Sequence, residues 1–139
     1  MDKPIVLVLD NGNSARSQMA EAFIRKFGAQ KFQVYSAGTQ PKGINPLTVT
    51  VMQESGIDMS GQFSKGVQDY LGVLPVGYLI TLTQSAEQHA PSSWPNIMER
   101  FDWPTEDPTV FEGTEEEKLA KFRSVRDEIE AKVKAWLRV

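Results

Sequence analysis

The chain has 139 residues, 40% of them hydrophobic and 24% charged, with a formal net charge of −3. That is enough for one domain, residues 1–139, with a buried core, and an acidic balance without a basic stripe argues against a nucleic-acid partner. Cysteine is absent, which excludes disulfides, thiolate nucleophiles, redox relays and thiolate metal sites.

Met1-Asp2-Lys3-Pro4 has no signal-peptide layout, and the apolar run behind it is too short to span a bilayer. A cytoplasmic protein without a membrane partner is expected. Ile5–Leu9 reads as a fully buried strand. A small polar loop with Gly12 follows, and a helical pattern begins near Ala15 and runs through Met19, Ala20, Phe23, Ile24 and Phe27. Gly28 is its expected stop. Phe32–Ser36 alternates as a second strand, ending in Ala37-Gly38-Thr39. Asn45 and Pro46 read as an N-cap and a first-turn proline, so a helix is predicted over Pro46–Ser55, ended by Gly56.

Ser64–Leu71 is expected to hold a short helix and Val76–Leu82 the third strand. Thr83–His89 is expected as a loop or short helix, and Pro91–Pro95 as a breaker-rich surface segment. Met98–Asp102 is the fourth strand, and Trp103–Gly113 a loop containing Glu106 and Asp107. Thr114 and Glu117 form a capping box. Leu119, Phe122, Val125, Ile129, Val133 and Trp136 then recur at helical spacing. Strands alternating with helices predict an α/β fold, a three-layer α/β/α arrangement with helices on both faces of a parallel sheet. Ligands of such sheets bind beyond the carboxyl ends of the strands, where the loop 10–17 lies.

That loop is a strand exit, a glycine turn and a helix N-terminus, which together form an anion cradle. Asn11, Gly12, Asn13, Ser14, Ala15 and Arg16 are the candidate anion-binding residues. Arg16 offers a planar fork matched to a tetrahedral oxyanion. Asp10 is the discordant residue, a carboxylate at the strand exit. Trp94, Trp103 and Trp136 read as packing residues, with Trp103 also placed to wall the cradle. His89 reads as structural, because no second imidazole or thiol can join it.

Gly12-Asn13-Ser14 followed by Arg16-Ser17-Gln18-Met19-Ala20-Glu21 resembles the signature of the low-molecular-weight protein tyrosine phosphatases, most closely their thioredoxin-coupled arsenate reductase branch. Tyr35-Ser36-Ala37-Gly38-Thr39, Gly43-Ile44-Asn45-Pro46, Gly56-Ile57-Asp58 and Arg123–Ile129 extend the likeness over nearly the whole chain. The resemblance implies a four-stranded parallel sheet in the order 2-1-3-4. It also implies that Arg16 binds oxyanion oxygens, Ser17 supports the nucleophile and Asp107 protonates the leaving group. Asp10 stands where the family has its nucleophilic cysteine, and its carboxylate is expected to accept loop N–H groups and face Arg16 as a built-in anion. Ala15, Thr83 and Ala90 stand where the reductases carry further cysteines.

Retained binding groups without sulfur lead to an expectation of a catalytically inactive protein with a binding or regulatory role. An evolved pseudoenzyme and a deliberately cysteine-free variant both fit that description. The alternative is a weak phosphate monoester hydrolase using Asp10 or an activated water, with Asp107 as general acid. An ionised Asp10 about 4 Å from phosphate would repel it by roughly 4 kcal/mol per charge pair at an effective dielectric near 20. Weak binding of phosphate, sulfate or an arsenate-like oxyanion is therefore expected, and no cofactor or metal. In reductases of this branch, residues matching Asn13, Glu21 and Ser36 help to hold a potassium ion. Lys65 is expected to put its ammonium in that ion's place.

Overall fold

Val6, Leu7, Val8 and Leu9 are fully buried, as the centre of a parallel sheet covered on both faces requires. The computed structural model describes residues 3–83 and 97–139. Its elements are β1 (Ile5–Asp10), α1 (Arg16–Gly28), β2 (Gln33–Gly38), α2 (Pro46–Glu54), β3 (Val76–Thr81), β4 (Glu99–Asp102) and α3 (Glu115–Leu137), with short 3-10 helices at Val67–Asp69 and Pro108–Val110. The four strands are parallel and lie in the order β2-β1-β3-β4, as expected. The proposed segments Thr83–His89 and Pro91–Pro95, with His89, Ala90 and Trp94, fall wholly or largely outside the described residues; Thr83 itself is described.

Side chains of a strand alternate between faces, and β1 divides the core accordingly. Val6 and Val8 join Met19, Phe23, Ile24, Val51, Met52, Phe122, Val125 and Ile129, so α1, α2 and α3 pack on one face. Leu7 and Leu9 point the other way, to Ala37, Val67, Val76 and Leu79, with Tyr70, Leu74 and Ile97 alongside. The described cover on that side is the 3-10 helix Val67–Asp69 and the turns after it. Asp10 shares the parity of Val6 and Val8. Its carboxylate is therefore delivered to the face on which α1 starts.

The capping signals act as written. The Asn45 side chain accepts the Leu47 amide with Pro46 in the first turn. Thr114 and Glu117 exchange the two bonds of a capping box. Gly56 takes φ +76 behind α2, and the Ile57 amide returns to the Met52 carbonyl at 3.0 Å, the glycine-dependent end of a helix. Two readings need correction. The helix expected over Ser64–Leu71 shrinks to one 3-10 turn, because Gly66 enters in extended conformation and Gly72 turns at φ +75. Gly28 closes α1 as expected, but not through a left-handed cap: Ala29 is the right-handed cap residue. A Cβ at Gly28 would lie 3.0 Å from a Leu137 methyl, so a larger residue there would make that side chain at the end of α3 give way by a few tenths of an ångström.

Trp103 does not wall the loop 10–17. Its ring lies 5.9 Å from Trp136 and 6.3 Å from Phe101, and Trp136 stacks on Phe32 at 4.9 Å. These rings make an aromatic cluster where α3 meets the sheet. Among the described residues, no helix is long and apolar enough to cross a membrane.

Candidate functional site

The loop between β1 and α1 is held from outside by the segment that leaves β2. The Thr39, Gln40, Lys42 and Asn45 amides donate to the carbonyls of Asp10, Asn11, Gly12 and Ser14 at 2.8 to 3.1 Å, and the Thr48 hydroxyl adds a bond to Ser14. A trans peptide sets its N–H opposite its C=O. With these carbonyls turned outward, the amides of Gly12, Asn13 and Ala15 turn inward. Asn13 makes the tight bend with φ +49, a conformation asparagine tolerates better than most residues.

The loop also lies directly on β2. A Cβ at Gly38 would be 2.6 Å from the Asn11 carbonyl oxygen and 2.8 Å from the Asn13 nitrogen. Gly38→Ala is expected to cost about 2 kcal/mol through this overpacking and to displace the loop. Chemical denaturation, together with the chemical shifts of the loop amides, checks it.

Asp10 closes the inner end of the loop. It is 2% exposed. One carboxylate oxygen accepts the Asn13 amide at 2.7 Å and the other accepts the Ser17 amide at 2.9 Å. Ala15, the cap residue of α1, makes no side-chain cap bond. Asp10 thus performs the capping task from the preceding strand, with its charge at the positive end of the helix. Burial pushes its carboxyl above the ordinary carboxylate value of 3.8, against the opposing pull of Arg16, the Ser17 and Asn13 amides and the Ser17 hydroxyl.

Above 3.8 the unfolded chain loses the Asp10 proton while the native state still holds it, so the native state binds more protons over that window. Asp10's contribution to stability is greatest below 3.8 and declines as pH rises through the folded value. The stability of wild type minus that of Asp10→Asn is expected to fall with pH across the same window. Urea titrations from acid to neutral pH read it directly, and a flat difference would remove the raised value.

Arg16 is as buried as Asp10, but its guanidinium does not bond to that carboxylate, as the sequence had led one to expect. Nη1 donates to the Thr105 carbonyl at 3.0 Å, and Nη2 pairs with Asp107 Oδ2 at 3.4 Å. Its Nε is buried without a hydrogen-bond partner, the one such side-chain atom among the described residues. Asp107 also accepts the Thr109 amide and hydroxyl on Oδ1, at 2.9 and 2.6 Å, which caps the 3-10 helix beyond it. The pocket over the loop holds about 160 Å³ and is lined by Asp10, Arg16 and Asp107 with the predicted loop residues. Asn13 and Ser17 are the exceptions, fully buried and outside the lining.

Lys42 also lines this pocket and was not singled out in the sequence. Nothing in Pro41-Lys42-Gly43 distinguishes it; the bond from its amide to Gly12 puts it there. An inward set of amides, two cations and two carboxylates can receive an anion only if the carboxylates give way or share a proton. Among the described residues, no three of His, Asp and Glu converge as metal ligands.

The second predicted cluster is assembled as one buried network. The Asn13 amide group donates to Ser17 Oγ at 2.8 Å and Ser36 Oγ at 2.9 Å, and Asn13 Oδ1 accepts from the Lys65 amide and from Gln18. Ser36 donates to Glu21 Oε1 at 2.5 Å. Lys65 Nζ lies 3.5 Å from the same oxygen and 2.6 Å from the Phe63 carbonyl. Its side chain is 7% exposed, and burial lowers its pKa, opposed by the attraction of Glu21. Gln18 and Gln62, to which the sequence assigns no role, complete the network through a bond of 2.7 Å.

The profile of a family described as low molecular weight phosphotyrosine protein phosphatase matches residues 5–139. An arsenate reductase of Halalkalibacterium halodurans is 41% identical over 136 residues, covering 98% of this chain and 96% of that protein. One of Bacillus subtilis is 39% identical with the same coverage. A solved structure described as an arsenate reductase in the phosphate binding state superposes with TM-score 0.80 at 31% identity, covering 98% of this chain and 97% of that one. A low-molecular-weight protein tyrosine phosphatase from T. tengcongensis shares the fold, with TM-score 0.77 at 22% identity and coverage of 98% and 99%. Sheet order, loop and full-length similarity agree: the chain belongs to the low molecular weight phosphotyrosine protein phosphatase family, among relatives that include bacterial arsenate reductases.

Proposed function

We propose that this protein is a non-catalytic member of the family that keeps the oxyanion cradle and uses it for binding or regulation. The observation that carries this reading is Asp10: at the nucleophile's position, its two oxygens take the Asn13 and Ser17 amides. The carboxylate fills the role of the loop's resident anion. A chain without cysteine has no thiol pair to reduce arsenate. An aspartyl-phosphate route draws on a divalent cation to neutralise charge, and no cluster of metal ligands accompanies Asp10 among the described residues. Arg16, with its unpartnered Nε, still offers a donor to an oxyanion such as the phosphate held by the arsenate reductase named above.

The test is hydrolysis of p-nitrophenyl phosphate by the wild-type protein. Turnover at the level of buffer is expected. Hydrolysis that survives chelation of divalent metals and disappears in Asp10→Ser would establish the alternative, a slow phosphatase using Asp10 with Asp107 as acid.

The same reading extends to the buried network. Lys65 holds its ammonium against Glu21 beside Ser36 and Asn13, where it takes the place of a bound potassium ion and makes the cation part of the chain.

A further inference from the structure

The pocket over the loop 10–17 presents two cations, Arg16 and Lys42, and two carboxylates, Asp10 and Asp107. Before any ligand enters, these formal charges cancel. Each Asp10 oxygen accepts one amide and the Ser17 hydroxyl adds a third donor, which leaves the carboxylate one acceptor position for a further hydrogen. The pocket is small, on the order of five water molecules' share of liquid volume, so an anion bound there lies against Asp10. The Arg16 Nε supplies a buried donor still to be satisfied.

An oxyanion oxygen without a hydrogen meets Asp10 as acceptor against acceptor. One that carries a hydrogen donates it to the carboxylate, and its remaining oxygens stay free for the inward amides and Arg16. From this geometry we infer that Asp10 makes the cradle selective for tetrahedral oxyanions bearing an O–H, hydrogen phosphate and hydrogen arsenate, over those without one, sulfate and phosphate monoester dianions. One proton is shared between Asp10 and the anion. This rests on the cradle binding oxyanions at all, as proposed above. The groups that face Asp10 leave it this role. Arg16 of α1 turns its Nη atoms to Thr105 and Asp107, Lys42 approaches from the segment after β2, and Asp107 is itself occupied by Arg16 and Thr109.

Phosphate, arsenate, sulfate and methyl phosphate are all mainly dianions near pH 8, so they share a charge and differ in the O–H. Titration of each into the full-length protein, followed by the NMR shifts of the Gly12 and Ala15 amides, gives an affinity and places the ligand. Phosphate and arsenate are expected to bind at least about tenfold tighter than sulfate and methyl phosphate, because a site built for a hydroxyl rejects an analogue without it. In Asp10→Ser the four should converge to within about threefold. Asp10→Asn, which keeps the side chain's size and one acceptor, serves if the serine protein does not fold, as judged by its melting curve.

Equal binding of all four to wild type overturns the selectivity and leaves the cradle standing. So does selectivity that persists in Asp10→Ser, whereas binding that appears only in that variant overturns the proposed use of the cradle by the wild-type protein as well. No binding to either protein removes the cradle reading along with it.

Discussion

Asp10→Cys is expected to turn a protein that leaves p-nitrophenyl phosphate intact into one that hydrolyses it at about a thousandfold or more above the wild-type level. The new sulfur would sit where the Asp10 carboxylate now accepts the Asn13 and Ser17 amides. Two donors and the N-terminus of α1 stabilise a thiolate as they stabilise the carboxylate. Removing the carboxylate also relieves the repulsion of an incoming phosphate. Arg16, 4% exposed, keeps its free Nε for the transferring oxygens. Asp107 is positioned by Thr109 and by Arg16 at 3.4 Å, at the mouth of the same pocket. Adding Asp107→Asn to the cysteine variant is expected to remove about a hundredfold of the gained rate, the size of a general-acid contribution. A phosphorylated cysteine trapped at position 10 would complete the case. A folded cysteine variant at background rate would mean that the pocket has departed from the family's geometry beyond this one residue.

Much of this site is legible in the chain because local signals and fold agree there. The β-branched run Val6–Leu9 can only be a covered strand, and its alternation fixes the side on which Asp10 emerges. Asn45-Pro46 and Thr114/Glu117 mark helix starts through bonds that span two or three residues. The partners of Arg16 were not legible. Its contact with Asp107 crosses from the start of α1 to the loop after β4, and the competing expectation, a bond to Asp10, failed because two backbone amides already hold that carboxylate. Lys42 was invisible for the same reason: its position depends on Gly12 receiving its amide across the loop. Strand order came from resemblance rather than from pattern, since periodicity shows which strands are buried but not which are neighbours. Gly28 shows the limit from the other side. The signal for a helix end was correct in place, but Gly28 makes no left-handed turn there; its contact is with Leu137, more than a hundred positions away.

Lys65→Met is expected to lower stability by about 3 kcal/mol, or roughly 10 °C in melting temperature for a chain of this size. The ion pair it breaks is buried on both sides, with Lys65 7% and Glu21 6% exposed. Methionine fills the space of the stem but leaves the Phe63 carbonyl without its ammonium donor and Glu21 without a cation at that oxygen. The loss stays at the low end for a buried pair because Glu21 also holds Arg25 at 2.6 Å and accepts from Ser36. Lys65→Ala separates packing from charge, since it opens room for an ion where the ammonium stood. Its melting temperature is expected to rise by several degrees in potassium chloride over choline chloride at equal ionic strength, while wild type responds alike to both salts. A specific potassium response in wild type would mean that the ammonium is not in the ion's place. The effect should reach the cradle as well. Asn13, whose φ of +49 sets the loop's bend, is held by Ser17, Ser36 and the Lys65 backbone, so the methionine variant should exchange its Gly12 and Ala15 amide hydrogens faster, and potassium should slow that exchange in the alanine variant.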